Sequence, residues 1–427
     1  MNQASTPVGE VFERLLGPRA TVSISAYDGS SSGPADAPVA IQVRSPLALD
    51  YLMSSPGDLG LARAYVAGAL DVTGDLYTAL HALSAQVDQL TPADRLWLLR
   101  KLGPRHLRVV KPPAEEHPSR LRRGMTALRH SKGRDSEAIA SHYDVSNRFY
   151  ELVLGPSMAY TCAVFPEADA SLEEAQENKF DLVCRKLGLK PGMRLLDVGC
   201  GWGGMVAHAV RHYGVEALGV TLSREQAQWA KEAIDREGLA NLAEVRHSDY
   251  RDVLESDFDA ISSIGLTEHV GVANYPAYFR FLRDRLRDEG RLLNHCITRP
   301  DNRHPGLPPR GFINRYVFPD GELTGSGDIV RVMEDEGFEV RHHENLREHY
   351  ARTCAAWNAN LAKNWDDCVE LAGLGTARVW GLYLAGSRLA FERDGIQLHQ
   401  VLASRTSREG VSGFPLRPQF EPDGRRA

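Results

Sequence analysis

Three features that would assign this sequence of 427 residues to another class of protein are missing from it. Its six cysteines are scattered, with no Cys-x-x-Cys pair and no Cys/His spacing typical of zinc sites, so we predict neither disulfides nor a metal centre. The first residues lack a basic stretch followed by an apolar core, and no later stretch approaches the ~18 apolar residues of a membrane span. We therefore expect a cytoplasmic protein.

The chain also lacks an overall positive charge, because its formal net charge is -6, so nucleic acid is not a favoured partner. One segment differs: between Arg95 and Arg134, twelve lysines and arginines are opposed by only Glu115 and Glu116. A basic segment that carries Leu, Trp and Met is typical of docking on anionic lipid, although a solvated helix face has the same composition. Docking would hold the protein at the inner face of the membrane. The sequence leaves the oligomeric state open, a homodimer included.

Hydrophobic patterns divide the chain into four parts. Residues 1–110 mix short β-like runs, TVSISAY and VAIQVRS, with a helical stretch, GDLGLARAYVAGALDV, and predict a small α/β domain. Residues 111–134 form a basic linker broken by prolines, and residues 406–427 form a frayed tail. Strand and helix patterns alternate over residues 135–405, which predicts a parallel, doubly wound sheet covered on both faces.

The strongest motif is LLDVGCGWGG, which places Asp197, Gly199, Gly201 and Gly203 between an apolar strand and a helix. In doubly wound sheets ligands bind beyond the carboxyl ends of the strands, and glycines there let the backbone approach the ligand. A nicotinamide dinucleotide is the main alternative ligand. However, the Cys-Gly-Trp within the motif is not the usual pyrophosphate fingerprint, and the second strand lacks a ribose-binding acid. S-adenosylmethionine fits better, with Asp197 accepting a hydrogen bond from its ammonium group or orienting the loop.

Blocks spread from Ala138 to Arg405 resemble one family, the cyclopropane-fatty-acyl-phospholipid synthases and the mycolic acid cyclopropane synthases. They include AIASHYDVSNRFYELVLGPSMAYTCAVF, LLDVGCGWGG, SIGLTEHVG, LLNHCI, FINRYVFPDG and EHYARTCAAW, in that order. The resemblance implies a class I methyltransferase-type, Rossmann-like sheet with a smaller amino-terminal α/β lipid-handling domain. It also implies transfer of a methylene group from S-adenosylmethionine to the cis double bond of an unsaturated phospholipid acyl chain, forming a cyclopropane ring.

Through the matching blocks, the resemblance assigns residues to two sites. A bound bicarbonate, the base of the implied reaction, would be held by Cys162, Glu268, His295, the backbone of Ile297, and Tyr350. The cofactor positions fall on the glycine loop and on residues to either side of it: Tyr160, Thr161, Asp197, Gly199, Gly201, Gly203, Thr221, Gln226, Tyr250 and Arg251.

The implied chemistry explains these residue types. An alkene is a poor nucleophile, so the cofactor must drive the attack, and the resulting carbocation must be kept from water until a proton leaves. His295 and Tyr350 can donate hydrogen bonds to a small anion, while Glu268 can accept its hydroxyl or orient His295. Tyr316 and Phe318 are expected to line the acyl pocket, where their ring faces would stabilise the cation.

Two positions depart from the family pattern. Thr267 stands where relatives commonly have Phe before the Glu-His pair, which can change the pocket, and Ser387 replaces a cysteine, which excludes an essential nucleophile there. Loss of a different proton would give an exomethylene chain or, after reduction, a methyl-branched chain instead of a ring. A noncatalytic lipid-binding protein and an enzyme that methylates a small soluble acceptor are further alternatives. The intact bicarbonate residues argue against a noncatalytic lipid-binding protein. An enzyme that methylates a small soluble acceptor would require neither the basic segment nor the extra domain.

Overall fold

The structure, a computed structural model, describes residues 7–16, 22–55, 57–87, 97, 110–116, 146–303, 311–318 and 321–421. Apart from Lys111, the basic residues predicted to contact lipid lie outside these ranges, as do residues 422–427 of the predicted tail. Within the described ranges, no helix combines the length and the apolar character needed to cross a bilayer.

The amino-terminal part alternates short helices and strands: α1 (Val8–Leu16), β1 (Val22–Ala26), β2 (Ser31–Ser32), β3 (Val39–Val43), α2 (Leu47–Ser54), α3 (Asp58–Val66), β4 (Leu70–Thr73) and α4 (Leu76–Val87). The strands form a sheet in the order β2-β1-β3-β4, with β1 and β3 parallel. The predicted runs TVSISAY and VAIQVRS are confirmed as strands β1 and β3. The predicted helix GDLGLARAYVAGALDV is wrong in its last part, because Gly68 turns the chain with a φ of +71° and residues 70–73 pair with β3.

The rest of the chain begins with α5 (Asn147–Leu154), α6 (Leu172–Leu187), β5 (Arg194–Val198), α7 (Gly204–Tyr213), β6 (Glu216–Thr221), α8 (Arg224–Arg236), β7 (Ala243–His247), β8 (Phe258–Ile264), α9 (Thr267–Val270), α10 (Tyr275–Arg285) and β9 (Leu286–Thr298). It continues with α11 (Phe312–Tyr316), α12 (Ser326–Asp335), β10 (Glu339–Asn345), α13 (Arg347–Lys363), α14 (Trp365–Ala372), α15 (Leu374–Glu392) and β11 (Gln397–Ser404).

A seven-stranded sheet organises this part, in the order β10-β11-β9-β8-β5-β6-β7. Strands β5 to β9 are parallel, as predicted, whereas β11 is antiparallel to both β9 and β10. Apolar residues of α6, α7 and α8 pack in one core cluster, and those of α10 and α12 in another, so the sheet is covered on both faces. The strand order reverses between β5 and β8, the position at which open α/β sheets bind their ligands.

The chain separates into two compact units, the first comprising residues 1–123, 308–319 and 361–389, and the second comprising the remainder. The sequence prediction had assigned residues 308–319 and 361–389 to the catalytic domain. In the structure they group with the amino-terminal segment because their polar side chains pair within that unit. Arg378 donates to the Tyr65 carbonyl at 2.7 Å and forms a salt bridge with Asp71 at 3.1 Å.

The predicted tail is irregular over residues 406–421 but is not frayed there. Phe414 and Phe420 pack against the core of the second unit, and the Arg291 guanidinium lies 3.9 Å from the centre of the Phe414 ring. The Arg-, Gly- and Pro-rich composition suggested fraying, but two aromatic rings bury enough apolar surface to hold the segment.

Candidate active site

A cavity of about 390 Å³ opens at the carboxyl end of β5, in the second unit. Between β5 and α7 the glycine loop takes three positive φ angles, +77° at Gly199, +54° at Gly201 and +81° at Gly203. Residues with a Cβ adopt this left-handed region only with strain, so the loop requires glycine at these positions. The motif therefore forms the tight strand-to-helix turn that the sequence predicted.

The three glycines differ in what surrounds them. Gly199 and Gly201 line the cavity, and a Cβ built on Gly201 would meet no atom within 4 Å. Gly203 is not among the lining residues, and a Cβ on it would lie 3.0 Å from the Cβ of Ala230 in α8. Gly201 thus keeps space open for a ligand, whereas Gly203 allows a helix to approach the loop.

Polar residues predicted to contact the cofactor form the other walls of this cavity. Asp197 accepts a 2.6 Å hydrogen bond from Ser262, and burial raises the pKa of its carboxyl to about 6. Thr221 donates to the side-chain oxygen of Gln226 at 2.8 Å. The remaining predicted residues that line the cavity are Tyr160, Thr161, Tyr250 and Arg251.

Other lining residues escaped the sequence analysis, among them Trp202, Leu266, His269 and Phe281. Trp202 lies within the glycine motif and His269 follows Glu268, but neither spacing indicates which side chains face the cavity. The cavity thus combines an acid, close backbone and aromatic rings. These are the groups needed to bind a ligand with an ammonium group and a flat adenine ring, so the residues fit S-adenosylmethionine.

Glu268, at the start of the short helix α9, is buried with one carboxyl oxygen unsatisfied. Its Oε1 accepts a 2.6 Å hydrogen bond from the backbone N–H of Ile297, while its Oε2 has no hydrogen-bond partner among the described residues. Burial raises the pKa of this carboxyl to about 7, and the bond from Ile297 acts in the opposite direction. A buried polar atom without a partner is destabilising, so this oxygen points to a ligand.

His295 lies in β9, two residues before Ile297, and its side chain is fully buried. The Gln400 amide oxygen accepts a 2.7 Å hydrogen bond from Lys186, so the amide nitrogen faces His295 Nδ1 at 3.2 Å. Nδ1 is therefore the acceptor and Nε2 carries the proton. Burial lowers the pKa of His295 well below its ordinary value, so the ring is neutral. Its Nε2 has no partner within the described part of the chain.

Cys162 and Tyr350 meet at one backbone carbonyl, that of Leu346. The Cys162 sulfur lies 3.8 Å from this oxygen and the Tyr350 N–H lies 3.1 Å from it. Burial raises the pKa of the Cys162 thiol well above its ordinary value, so the sulfur stays protonated and is not a nucleophile. The Tyr350 ring is held by stacking on Phe391, with 4.4 Å between ring centroids.

We call the five residues Cys162, Glu268, His295, Ile297 and Tyr350 the base cluster. Backbone contacts join its parts, because Leu346 N–H donates to Leu398, which is the cross-strand neighbour of Ile297. The base cluster also borders the cavity. Thr161 lines the cavity and directly precedes Cys162, and Gly265 lines it and donates its N–H to the His295 carbonyl at 2.8 Å.

The remaining predicted positions lie elsewhere. Tyr316 and Phe318 belong to the first unit, where the Tyr316 hydroxyl donates to Glu116 at 3.3 Å, and their part in an acyl pocket stays a prediction. Thr267 is fully buried and donates to the side chain of Asn294 at 2.6 Å, so it does not line the cavity. Ser387 lies half-buried in α15, within the first unit.

Comparison with known proteins identifies the family of this chain. The family described as mycolic acid cyclopropane synthetase matches residues 130–401. A probable fatty acid methyltransferase of Mycobacterium tuberculosis is 56% identical over 407 residues, which cover 94% of this chain and 95% of that protein. The cyclopropane-fatty-acyl-phospholipid synthase of Escherichia coli is 37% identical over 270 residues, 63% of this chain and 68% of that protein.

Solved structures agree as well. The mycolic acid cyclopropane synthase CmaA1, complexed with SAH and CTAB, is 34% identical with a TM-score of 0.59, and covers 63% of this chain and 97% of that structure. The cavity and the base cluster both lie within the matched residues 130–401. The chain belongs to the mycolic acid cyclopropane synthetase family and is an S-adenosylmethionine-dependent methyltransferase.

Proposed function

We propose that this enzyme adds a methylene group to the cis double bond of an unsaturated phospholipid acyl chain and closes it to a cyclopropane ring. S-adenosylmethionine, bound in the cavity, supplies the electrophilic methyl group. The observation that carries the proposal is two buried groups without partners among the described residues, Glu268 Oε2 and the Nε2–H of His295. Each belongs to a residue whose neighbour lines that cavity, His269 for Glu268 and Gly265 for His295. Methyl transfer alone requires no such pair, whereas ring closure also requires a proton to be removed.

The base cluster has the hydrogen-bonding character that a small hydroxylated anion requires. The Nε2–H of His295 can donate to an anionic oxygen, and Glu268 Oε2 can accept a hydroxyl or, when protonated, donate. Bicarbonate has both kinds of group, and when bound it supplies the base that takes the proton. The neutral ring of His295 and the protonated thiol of Cys162 add no competing nucleophile, so the residues fit this anion.

The phospholipid and the membrane belong to the same proposal. The relative from Escherichia coli is named a cyclopropane-fatty-acyl-phospholipid synthase, and its similarity to this chain supports an acyl chain carried by a phospholipid. The excess of positive charge between Arg95 and Arg134 supports docking on the anionic inner face of the membrane, since each such residue contributes on the order of 1 kcal/mol near that surface.

A second candidate product is an exomethylene chain, formed if a different proton leaves, or a methyl-branched chain, which also requires reduction by a separate reductant. The relative named a probable fatty acid methyltransferase, which matches nearly the whole chain, supports this candidate. The base cluster favours the ring, because it holds the base at one fixed place.

Mass spectrometry of phospholipids from cells that express the enzyme tests the proposal. We expect unsaturated acyl chains to gain the mass of one methylene group, with fragmentation that identifies a ring, and a smaller fraction of chains to gain it in cells that express Gly201→Val. Fragmentation typical of a methylene or methyl branch would support the second candidate. Unmodified phospholipid with a modified soluble metabolite would contradict both.

A further inference from the structure

A buried lysine stands between the two sites and has no part in the chemistry described above. Lys179, in α6, is 0% exposed, and its ammonium group donates a 2.9 Å hydrogen bond to the Thr161 hydroxyl. The ammonium also lies 3.8 Å from the centre of the Phe180 ring. Lys179 forms no salt bridge with any described residue. Since an unpaired buried charge is destabilising by several kcal/mol, its retention requires an explanation.

The surroundings of Lys179 border both sites. Its partner Thr161 lines the cavity, and the next residue, Cys162, belongs to the base cluster. The Thr161 methyl group lies against Gly265, where a Cβ would come within 2.9 Å of it, and Gly265 donates its N–H to the His295 carbonyl at 2.8 Å. Lys179 therefore contacts a residue that lines the cavity and directly precedes a member of the base cluster.

Charge interactions give the same picture. Burial lowers the pKa of Lys179 to about 7, and Cys162 and Asp197 oppose that shift. Burial is the largest influence on the two neighbouring groups, raising the pKa of Cys162 and lowering the pKa of His295. In both groups the positive charge of Lys179 acts to lower the pKa. The field of this ammonium group therefore reaches the base cluster, and an anion bound there would favour the charged lysine.

We propose that Lys179 is a positioning residue that balances the negative charge of the anion in the base cluster and holds Thr161 at the border between the two sites. The inference rests on the proposed function, because it takes the anion to be bicarbonate. In a water-free interior an anion beside Glu268 would be repelled whenever the carboxyl is ionised. A buried cation at the same border offsets that repulsion.

The same helix offers a matched control. Gln176 precedes Lys179 by one turn, is also 0% exposed, and donates to the Thr161 carbonyl at 2.9 Å and to the Ala159 carbonyl at 3.3 Å. Gln176 and Lys179 therefore both anchor the same segment, but only Lys179 carries a charge. A purely structural role would make their replacements alike, whereas a charge role would separate them.

The test measures turnover of the full-length enzyme on phospholipid vesicles as bicarbonate is added to carbon dioxide-free buffer. For Lys179→Met we expect the bicarbonate concentration at half-maximal rate to rise on the order of tenfold or more, with cofactor affinity by calorimetry nearly unchanged. For Gln176→Leu we expect that concentration to stay near the wild-type value. If Lys179→Met does not fold, Lys179→Gln, which keeps a donor for Thr161 without the charge, gives the same comparison.

Equal bicarbonate dependence in the wild type and Lys179→Met, or equal shifts in Lys179→Met and Gln176→Leu, would overturn the role of Lys179 and leave the proposed function standing. A wild-type enzyme that makes cyclopropane at full rate without bicarbonate would overturn the assignment of the anion itself, and with it this role. The two failures are therefore distinguishable in one titration.

Discussion

The cofactor cavity and the base cluster adjoin each other but are built in opposite ways. One wall of the cavity is the backbone of a single contiguous loop, whose glycines leave room, and side chains from other elements form the remaining walls. The base cluster combines buried side chains from separate elements, α9, β9, α13 and the segment before α6, with the backbone of Ile297. The cavity must leave space for the cofactor. The base cluster must exclude water, because exclusion of water strengthens every charge interaction inside it.

Two buried carboxyl groups express this difference. Asp197 lines the cavity and already receives a hydrogen bond from Ser262, so one oxygen is satisfied before any ligand binds. Glu268 has an oxygen without a partner among the described residues, and burial raises its pKa to about 7. Loss of the first carboxyl should therefore affect mainly cofactor binding, and loss of the second should affect mainly the step after it.

The largest expected effect comes from Glu268→Gln, which removes the charge while keeping an acceptor for the Ile297 N–H. We expect turnover to fall by on the order of 10²-fold or more, as when a positioned acid or base is lost, with little change in cofactor affinity. Steady-state kinetics and calorimetry on the same preparation would measure both quantities. Loss of cofactor binding in this variant would show that the two sites are not separable as described.

A smaller effect is expected from Gly201→Val, because its side chain would project into the cavity. The control is Gly192→Val, since Gly192 has a similar positive φ of +81°, also meets no atom within 4 Å, and does not line the cavity. Both variants place valine at a positive φ, so calorimetry should show a loss of cofactor affinity on the order of tenfold or more in Gly201→Val alone. Similar losses in both would attribute the effect to strain.

A third expected effect is on stability and follows from the raised pKa of Glu268. Below pH 4.5 the carboxyl is protonated in the folded and unfolded states, so its stability contribution is fully present, and that contribution is lost as the pH rises through about 7. Glu268→Gln should therefore gain stability over the wild type between pH 5 and pH 8, by on the order of 1 to 3 kcal/mol. Thermal unfolding of both proteins across this range, without bicarbonate, measures it. Parallel curves would contradict the raised pKa.

Local features of the molecule were predictable from the sequence to the extent that each depends on neighbouring residues. The strand, glycine loop and helix around Gly201 follow from one contiguous motif. The failures arose from contacts between distant residues. The stretch after Val66 has helical spacing, yet residues 70–73 pair with β3, because cross-strand hydrogen bonds outweigh intrinsic propensity. The antiparallel β11 was missed for a similar reason, since strand direction is set by its neighbours.

The sequence by itself determined the cofactor loop, because a positive φ is a demand of the residue's own backbone and only glycine meets it freely. The resemblance to the family also predicts which residues form the base cluster. Only the tertiary structure decided their chemical state. Lys186, Gln400 and His295 are separated by 214 and 105 positions, yet their contacts determine which nitrogen of the imidazole carries the proton. Protonation depends on burial and on distant partners, and both exist only once the chain has folded.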